Sequence, residues 1–302
     1  MKFGNWNKEL IYKVLSIILG IIFMISLIML VLHYTVLRKN DEKIKDVQEI
    51  ADVKPDEDEE EEVPPEIRTI DFTALQAEYP DIYAWIYVPG TQVNYPILQS
   101  AEGVDTDYYL EHNLDGSVGL PGCIYTQQAN AKDFSDRDTV VYGHNMRNDS
   151  MFGSLHEYED ETFLMEHPYI YIYTPEQNLV YQIFASYVSD DKLILDYYNY
   201  FIEADTFTDY LEEIRSSASA KGVLNQDLEV DGEDRILTLS TCNGSDTTRY
   251  LVIGKLLTEE EVAAIGEGTT DSVQSEAEAA LQGMTGESGE SDAEDLGEDA
   301  EE

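Results

Sequence analysis

Short apolar stretches rich in Val, Ile, Tyr and Thr recur through the middle of the chain and are separated by turn residues. Because β-branched and aromatic side chains favour extended backbone, each stretch predicts a strand. A helix is predicted to begin after Asp205, which is a candidate N-cap. Apolar residues follow Asp205 at helical spacing, namely Phe207, Tyr210, Leu211 and Ile214. The predicted strands cover residues 84–88, 93–98, 122–126, 139–142, 169–173, 179–188, 235–241 and 249–257.

A shorter helix is predicted at the start of this region. Asp71 can cap it, the helix runs through Leu75, and Pro80 stops it. Many short strands with few long helices are typical of a mostly β domain. The pattern therefore predicts a closed or nearly closed sheet with helical insertions.

The longest apolar run lies near the N-terminus, where 24 residues between Lys13 and Arg38 carry no formal charge. A helix of that length spans about 36 Å, more than the roughly 30 Å of a bilayer's hydrocarbon core. The competing interpretation is a cleaved signal peptide, whose apolar region is shorter and ends in small residues. The run predicts an uncleaved transmembrane anchor. Lysine and arginine flank both ends, so the charge rule gives no orientation.

Charge divides the chain into four segments. The formal net charge is −44, which excludes the basic surface of a nucleic-acid binder, and two cysteines exclude a disulfide scaffold. We predict an N-terminus and anchor at 1–39, an acidic linker at 40–68, a folded domain at 69–258 and an acidic disordered tail at 259–302. The linker holds 13 acidic residues, and the tail holds 16 with no basic residue.

Three candidate catalytic residues stand at the ends of predicted strands. Cys242 follows one strand and Arg249 opens the next, so a hairpin would bring them together at one rim of the sheet. A guanidinium there favours the thiolate and can donate to a developing oxyanion. His144 follows an earlier strand, 98 residues before Cys242, so only the fold can join the two.

Each of these residues alone also fits a structural role, as a core cysteine, a turn histidine or a surface arginine. Structural roles are favoured for Cys123 and for the other histidines, His112, His156 and His167. The sequence has no Cys-x-x-Cys or His-x-x-x-His spacing, so we predict no metal site and no cofactor.

Taken together, the motifs resemble those of the sortases, the membrane-anchored cysteine transpeptidases of Gram-positive bacteria, and within them class B. The resemblance covers about residues 68–257. It rests on Thr-Leu-Ser-Thr-Cys at 238–242, Tyr-Gly-His-Asn-Met at 142–146 and Arg249, with supporting similarity at 94–99, 107–110, 150–155 and 167–168.

The resemblance implies an eight-stranded sortase β-barrel with an N-terminal helix and a long helix between strands six and seven. It implies that Cys242 attacks the Thr-Gly bond of an NPxTG/LPxTG-like C-terminal sorting signal, that His144 protonates the leaving amine and that Arg249 stabilises the oxyanion. The thioacyl enzyme then passes the surface protein to an amine of the cell wall peptidoglycan. The implied location is the cell membrane, with a single span, the N-terminus inside and the catalytic domain outside.

Substrate-binding residues follow from the resemblance where the motifs align, namely Asn94, Leu98, Tyr142 and Ser240. Asn243 stands where some class B enzymes carry an acid, and the loop from Cys242 to Arg249 is short, so the preferred sorting motif stays open. Asp246 in that loop either orients Arg249 or His144 or is a polar turn residue.

Two alternatives to a wall-anchoring sortase stay open at this point, and a third lacks its expected motif. One is a sortase that polymerises pilins through a lysine. Another is a non-catalytic, membrane-anchored wall protein that keeps only the fold. The third is an L,D-transpeptidase, which predicts a histidine two residues before a Gly-Cys pair, a pattern absent near Cys242.

Overall fold

The computed structural model describes residues 8–51, 69–245 and 247–265. The predictions for most of the linker, for most of the tail and for Asp246 therefore lie outside the described residues.

The central feature of the fold is a closed β-barrel. Neighbouring strands pair in the order β5-β1-β2-β3-β4-β8-β9-β6, and β6 also pairs with β5, which closes the ring at eight strands. A ninth strand, β7, adds to the free part of the long β6. The bounds are β1 Ile82–Tyr87, β2 Asn94–Leu98, β3 Ile124–Thr126, β4 Asp138–Tyr142, β5 Tyr169–Tyr173, β6 Asn178–Asp190, β7 Gly222–Leu224, β8 Ile236–Cys242 and β9 Thr248–Leu256.

All eight predicted strands are confirmed, and only β7 lacks a prediction, because three residues are too few to show an alternating pattern. The described α-helices before the C-terminal unit are α1 Lys8–Ile50, α2 Phe72–Glu78, α3 Tyr108–Glu111, α4 Glu161–Glu166, α5 Ile194–Tyr197 and α6 Ala204–Lys221. Two 3-10 helices lie in the described part of the chain, at Gly153–Glu159 and Asn199–Phe201. The long α6 therefore lies between the sixth and seventh predicted strands.

Of the two predicted helix caps, one is confirmed and one is wrong. The Asp71 side chain accepts a hydrogen bond from the backbone N–H of Ala74 at 2.9 Å, as an N-cap should. The long helix instead begins at Ala204 with Glu203 as N-cap, and no side chain caps it. Asp205 lies within the first turn, where its negative charge suits the positive end of the helix dipole.

Helix α1 passes through the predicted boundary at residue 39 without a break. Its large apolar side chains are exposed from Leu10 to Val36, and it is the one described helix long and apolar enough to cross a membrane. Beyond that stretch, the Asn40 Nδ2 donates to Asn113 Oδ1 at 2.6 Å, and Val47 is fully buried. Residues 40–51 therefore pack on the barrel, although the sequence predicts that an unstructured linker starts at residue 40.

The C-terminal unit begins at Leu257 and is described only as far as residue 265. Residues 259–265 are helical, although the sequence predicts a disordered tail from residue 259. A capping box explains the helix. Thr258 donates its backbone N–H and hydroxyl to Glu261 Oε2 at 2.7 and 2.9 Å, and the Glu261 N–H returns to Thr258 Oγ1 at 3.3 Å.

The strands at the centre of the barrel sort their residues onto two faces. On β8, Leu237 and Leu239 point into the barrel and join its interior cluster, while Ile236 packs on the outer face with α6. Side chains alternate along a strand, so Ser240 and Cys242 share the outer face with Ile236. The end of β8 therefore presents its cysteine on the outer face of the barrel.

A buried carboxyl group lies at the start of β4. Asp138 is 1% exposed, and its Oδ2 accepts a hydrogen bond from the Thr238 hydroxyl at 3.1 Å. Its Oδ1 has no hydrogen-bond partner among the described residues. Burial raises the pKa of Asp138 to about 8, and the nearby charge of Asp136 adds to that rise. The folded protein therefore keeps this carboxyl protonated at neutral pH.

We expect Asp138→Asn to stabilise the protein progressively as the pH rises. An unfolded Asp138 ionises near its ordinary pKa of 3.8, whereas the folded one ionises at about 8, so the wild type loses stability from this group between pH 4 and 8. The variant cannot ionise. Denaturant unfolding of both proteins from pH 4 to 9 should show a stability difference that moves in favour of the variant up to pH 8 and then levels off. A pH-independent difference would contradict the assignment.

Candidate active site

The three predicted catalytic residues lie at one rim of the barrel, at the ends of three adjacent strands. Cys242 is the last residue of β8, and Arg249 is its direct partner on the antiparallel β9, which confirms the predicted hairpin. Strand β4 runs parallel to β8 on the other side. The Gly143 N–H donates to the Ser240 carbonyl at 3.2 Å, so the chain delivers His144 to the rim that carries Cys242.

Three of the four predicted substrate-binding residues fall in a single row across the outer face. Leu98 pairs with Tyr125, Tyr125 pairs with Tyr142, and Tyr142 pairs with Ser240. Paired residues point to the same face of a sheet. The row therefore lies on the outer face of the sheet and ends at Ser240, two residues before Cys242, but Leu98 and Tyr125 are each only 2% exposed and Ser240 is 4% exposed. Tyr125 is a member of the row that the sequence did not predict.

Asn94 stands apart from this row. It opens β2, four residues before Leu98, which is about 13 Å along a strand. Its side-chain oxygen accepts the Trp85 indole N–H at 2.8 Å, and its backbone carbonyl accepts Gln48 Nε2 at 3.0 Å. The described contacts of Asn94 therefore join α1 to the barrel.

Two stacked tyrosines, Tyr125 and Tyr142, form the centre of the row. The rings of Tyr125 and Tyr142 stack with centroids 5.5 Å apart, and the Tyr125 hydroxyl donates to Asp107 at 3.1 Å. The Tyr142 hydroxyl has no hydrogen-bond partner among the described residues. Burial raises the pKa of Tyr142, and the positive charge of Arg249 opposes that rise. The guanidinium charge of Arg249 therefore interacts with the Tyr142 side chain in the row.

One contact of His144 shows which ring nitrogen donates a hydrogen bond to the protein. Its Nε2 lies 2.8 Å from the backbone carbonyl of Leu110 in α3. A carbonyl oxygen only accepts, so Nε2 carries a proton and donates it. The segment is fixed in turn, because the Cys123 N–H donates to the Tyr109 carbonyl at 2.9 Å. Nδ1 is therefore the His144 nitrogen left to gain or release a proton.

The loop that follows His144 also reaches the nucleophile's strand. Asn145 Nδ2 lies 2.9 Å from the Cys242 carbonyl oxygen, and His156 Nε2 lies 3.3 Å from the same atom. These contacts assign His156 to the neighbourhood of Cys242, where the sequence indicated only an unspecified structural role. The local signal is weak because the contact depends on the folding of the whole loop.

The loop is tightly packed, and a glycine is required within it. A Cβ on Gly153 would lie 2.6 Å from the Met146 carbonyl oxygen, so the backbone segments approach too closely for any side chain. The Phe152 N–H donates to the His144 carbonyl at 2.9 Å, and the Met151 N–H donates to the Tyr95 hydroxyl at 3.0 Å. His144 is therefore held on a fixed backbone.

The two cysteines differ sharply in environment. Cys242 is half-buried at the rim, whereas Cys123 is 4% exposed, and burial raises the pKa of its thiol. The Cys123 thiol donates to the His112 carbonyl at 3.4 Å. The predicted core position of Cys123 is confirmed. Within residues 8–51, 69–245 and 247–265, no group of three or more His, Cys, Asp or Glu side chains could hold a metal ion.

The family-model comparison agrees with this architecture. The sortase domain model matches residues 86–257, more than half of the chain. The protein therefore belongs to the sortase family.

Individual relatives narrow the assignment. Sortase B of Listeria monocytogenes is 36% identical over 191 residues, which are 61% of this chain and 73% of the relative. Sortase B of Staphylococcus aureus is 29% identical over 187 residues, which are 60% of this chain and 72% of the relative. These relatives place the chain in class B, as a cysteine transpeptidase acting on surface proteins that carry sorting signals.

Solved structures give the same result. Sortase B from B. anthracis in complex with AAEK1 superposes with a TM-score of 0.61 at 31% identity and covers 75% of this chain and 100% of its own. A Staphylococcus aureus sortase B-substrate complex superposes with a TM-score of 0.54 at 29% identity, over 62% of this chain and 85% of its own. The eight-stranded barrel predicted from the motifs is thus confirmed.

Proposed function

We propose that Cys242, His144 and Arg249 carry out the transpeptidation. The Cys242 thiolate attacks the Thr carbonyl carbon of a sorting signal, which forms a C–S bond and places negative charge on the oxygen. Arg249, directly opposite Cys242 in the hairpin, donates to that oxyanion. His144 gives its Nδ1 proton to the leaving Gly amine as the C–N bond breaks. The register that sets Cys242 against Arg249, with His144 delivered to the same rim, carries this assignment.

The second half of the reaction returns the enzyme to its starting state. An amine attacks the thioester carbonyl, the C–S bond breaks, and His144 takes the proton that the amine loses. The amine must compete with water at about 55 M, so a groove that positions it through effective molarity is required.

We propose that the row of Leu98, Tyr142 and Ser240 binds the sorting signal. Asn94 stays a sequence prediction, four residues away from the row.

The proposed acceptor is an amine of the peptidoglycan, and the proposed location is the membrane. An exposed apolar α1 supports a single span, and its continuation onto the barrel would hold the catalytic domain close to the bilayer. We infer an N-terminus inside and a barrel outside the cell, with the sorting signal presented at the outer surface. Segments 1–39, 69–258 and 259–302 would serve as anchor, catalytic domain and acidic tail.

The reaction and its acceptor can be tested together by product analysis. The full chain in detergent micelles would be incubated with Asn-Pro-x-Thr-Gly and Leu-Pro-x-Thr-Gly peptides and three amines: an oligoglycine, a wall-type diamino acid peptide and a pilin-type lysine peptide. We expect cleavage between Thr and Gly, and a product whose mass equals the N-terminal fragment joined to a wall-type amine. Joining only to the lysine peptide would indicate pilin polymerisation, and hydrolysis with every amine would contradict transpeptidation.

A further inference from the structure

Strand β8 leaves one backbone carbonyl without a strand partner at the point where the nucleophile stands. On the β4 side of β8, the last backbone contact is the Gly143 N–H donating to the Ser240 carbonyl at 3.2 Å. Strand carbonyls alternate in direction, so the Cys242 carbonyl, two residues later, points to the same side. The chain that follows β4 no longer runs beside β8 at this point, so within the described residues it offers no backbone N–H to the Cys242 carbonyl. The Cys242 carbonyl therefore needs donors from outside the sheet.

Two side chains of the loop after β4 lie next to that carbonyl oxygen. Asn145 Nδ2 lies 2.9 Å from the Cys242 carbonyl oxygen, and His156 Nε2 lies 3.3 Å from it. Asn145 Nδ2 and His156 Nε2 are also 2.9 Å apart, and His156 Nδ1 lies 2.8 Å from Glu159 Oε1. Four groups thus form one connected network that ends on the nucleophile's own peptide.

The chemistry of each group fixes the direction of these hydrogen bonds. The Glu159 carboxylate only accepts, so His156 donates from Nδ1, and the neutral ring then accepts at Nε2. The Asn145 amide has two hydrogens, one for His156 Nε2 and one for the Cys242 carbonyl. The opposite amide orientation would set two oxygens against each other. In the resulting chain, Glu159 orients His156, His156 orients Asn145, and Asn145 holds Cys242.

Packing holds the ring of His156 in the plane that this chain requires. The ring stacks on Tyr250, with centroids 4.6 Å apart and planes 21° apart. Tyr250 is 2% exposed and pairs with Thr241 in the β8–β9 ladder. The partner of His156 is therefore a buried residue of the same hairpin that carries Cys242.

We propose that Asn145, held in orientation by His156, clamps the Cys242 carbonyl and so sets the nucleophile against His144. Asn145 is bonded directly to His144, so one residue of the loop fixes the backbone of both reacting groups. The clamp acts through the position of Cys242 and touches neither the substrate nor the reacting atoms, so its members are positioning residues. This inference rests on the roles proposed above for Cys242 and His144.

The first test is Asn145→Ala in the full chain, assayed with a sorting peptide and an amine. Losing one well-placed hydrogen bond should lower kcat about 10-fold. KM should change by less than about 2-fold, because the row that binds the peptide is intact. Alkylation of Cys242 by iodoacetamide should also stay within about 3-fold of wild type, because that reaction needs no alignment with His144. A variant that was only misfolded would change kcat, KM and the alkylation rate together.

A double-mutant cycle tests whether the two side chains act as one unit. We expect His156→Ala to lower kcat about 3-fold, and the double variant Asn145→Ala/His156→Ala to fall within about 2-fold of Asn145→Ala. His156→Gln keeps an acceptor for the Asn145 amide and should recover most of the loss seen in His156→Ala. Asn148→Ala, an exposed residue of the same loop, is the matched control and should keep the wild-type kcat.

The outcomes separate this inference from the proposed function. A wild-type chain that does not cleave the peptide contradicts the proposed function. If the wild type is active and Asn145→Ala keeps kcat within 2-fold of the wild-type value, the clamp is overturned and the proposed function stands. The clamp is also overturned if Asn148→Ala loses as much kcat as Asn145→Ala does. If Asn145→Ala fails to fold, His156→Ala against His156→Gln decides, and equal rates in those two overturn the clamp.

Discussion

Replacing Cys242 with alanine is expected to abolish cleavage and transfer. The thiolate forms the covalent intermediate, and removing a covalent nucleophile can cost on the order of 10⁶ in kcat. Cys242 is half-buried at the end of β8, so the free energy of unfolding should change by no more than about 1 kcal/mol. The measurement is peptide cleavage by Cys242→Ala at high enzyme concentration, with denaturant unfolding of the same sample.

The matched control is the other cysteine. Cys123 is buried, its thiol donates to the His112 carbonyl, and burial raises the pKa of that thiol, so it should take no part in the reaction. Cys123→Ala should keep kcat within about 2-fold of wild type while losing some stability to the small cavity. Cleavage in Cys242→Ala above 1 part in about 10³ of wild type would refute the nucleophile's assignment.

Replacing Arg249 with lysine is expected to lower kcat by about 10² to 10³ with little change in KM. Arg249 is the register partner of Cys242, and its Nη1 donates to the Thr248 carbonyl at 3.2 Å, which fixes part of the guanidinium. Lysine keeps the positive charge but lacks the planar fork, so it cannot hold this bond and donate to the oxyanion together. Steady-state kinetics with a sorting peptide separates the two parameters.

The control for this change is Arg147→Lys, because Arg147 is an exposed arginine in the loop after His144. It should leave both kinetic parameters unchanged. A loss in Arg249→Lys that appears only in KM would mean that Arg249 binds the substrate's ground state. That result would remove it from the oxyanion role.

The strand pattern could be predicted from the sequence because each strand carries its own signal. The runs that became β1 to β6, β8 and β9 are rich in β-branched and aromatic residues, and closure into a barrel gives each of these eight strands two strand partners. Strand β7 was not predicted because it is three residues long and pairs only with the part of β6 that β5 leaves free. Pairing with β6, rather than a pattern in its own sequence, makes these residues a strand.

Helix boundaries were predicted less well, for a similar reason. The charge change at residue 39 suggests the start of a linker, but a helix responds to its contacts, and Asn40 finds a buried partner in Asn113 on the barrel. The predicted cap at Asp205 is wrong by two positions because the helix starts at Ala204 without any side-chain cap. A tertiary contact therefore accounts for the continuation of α1 past residue 39.

Within the site, residues on strands were predictable and residues acting through a loop were not. The parity of Ser240 with Cys242 and the hairpin to Arg249 follow from strand geometry. Asn145 and His156 meet the Cys242 carbonyl only because the loop between them folds back on itself. Nothing in the local pattern of that loop encodes such a contact.

The central claim is that Cys242 carries a thioacyl intermediate. The most direct measurement is mass spectrometry of the full chain, quenched in acid during turnover of a sorting peptide with no amine added and then digested. We predict one adduct, equal in mass to the peptide up to its Thr residue less one water, on the fragment that contains Cys242. An adduct on Cys123, or steady cleavage with no adduct on either cysteine, would contradict the account.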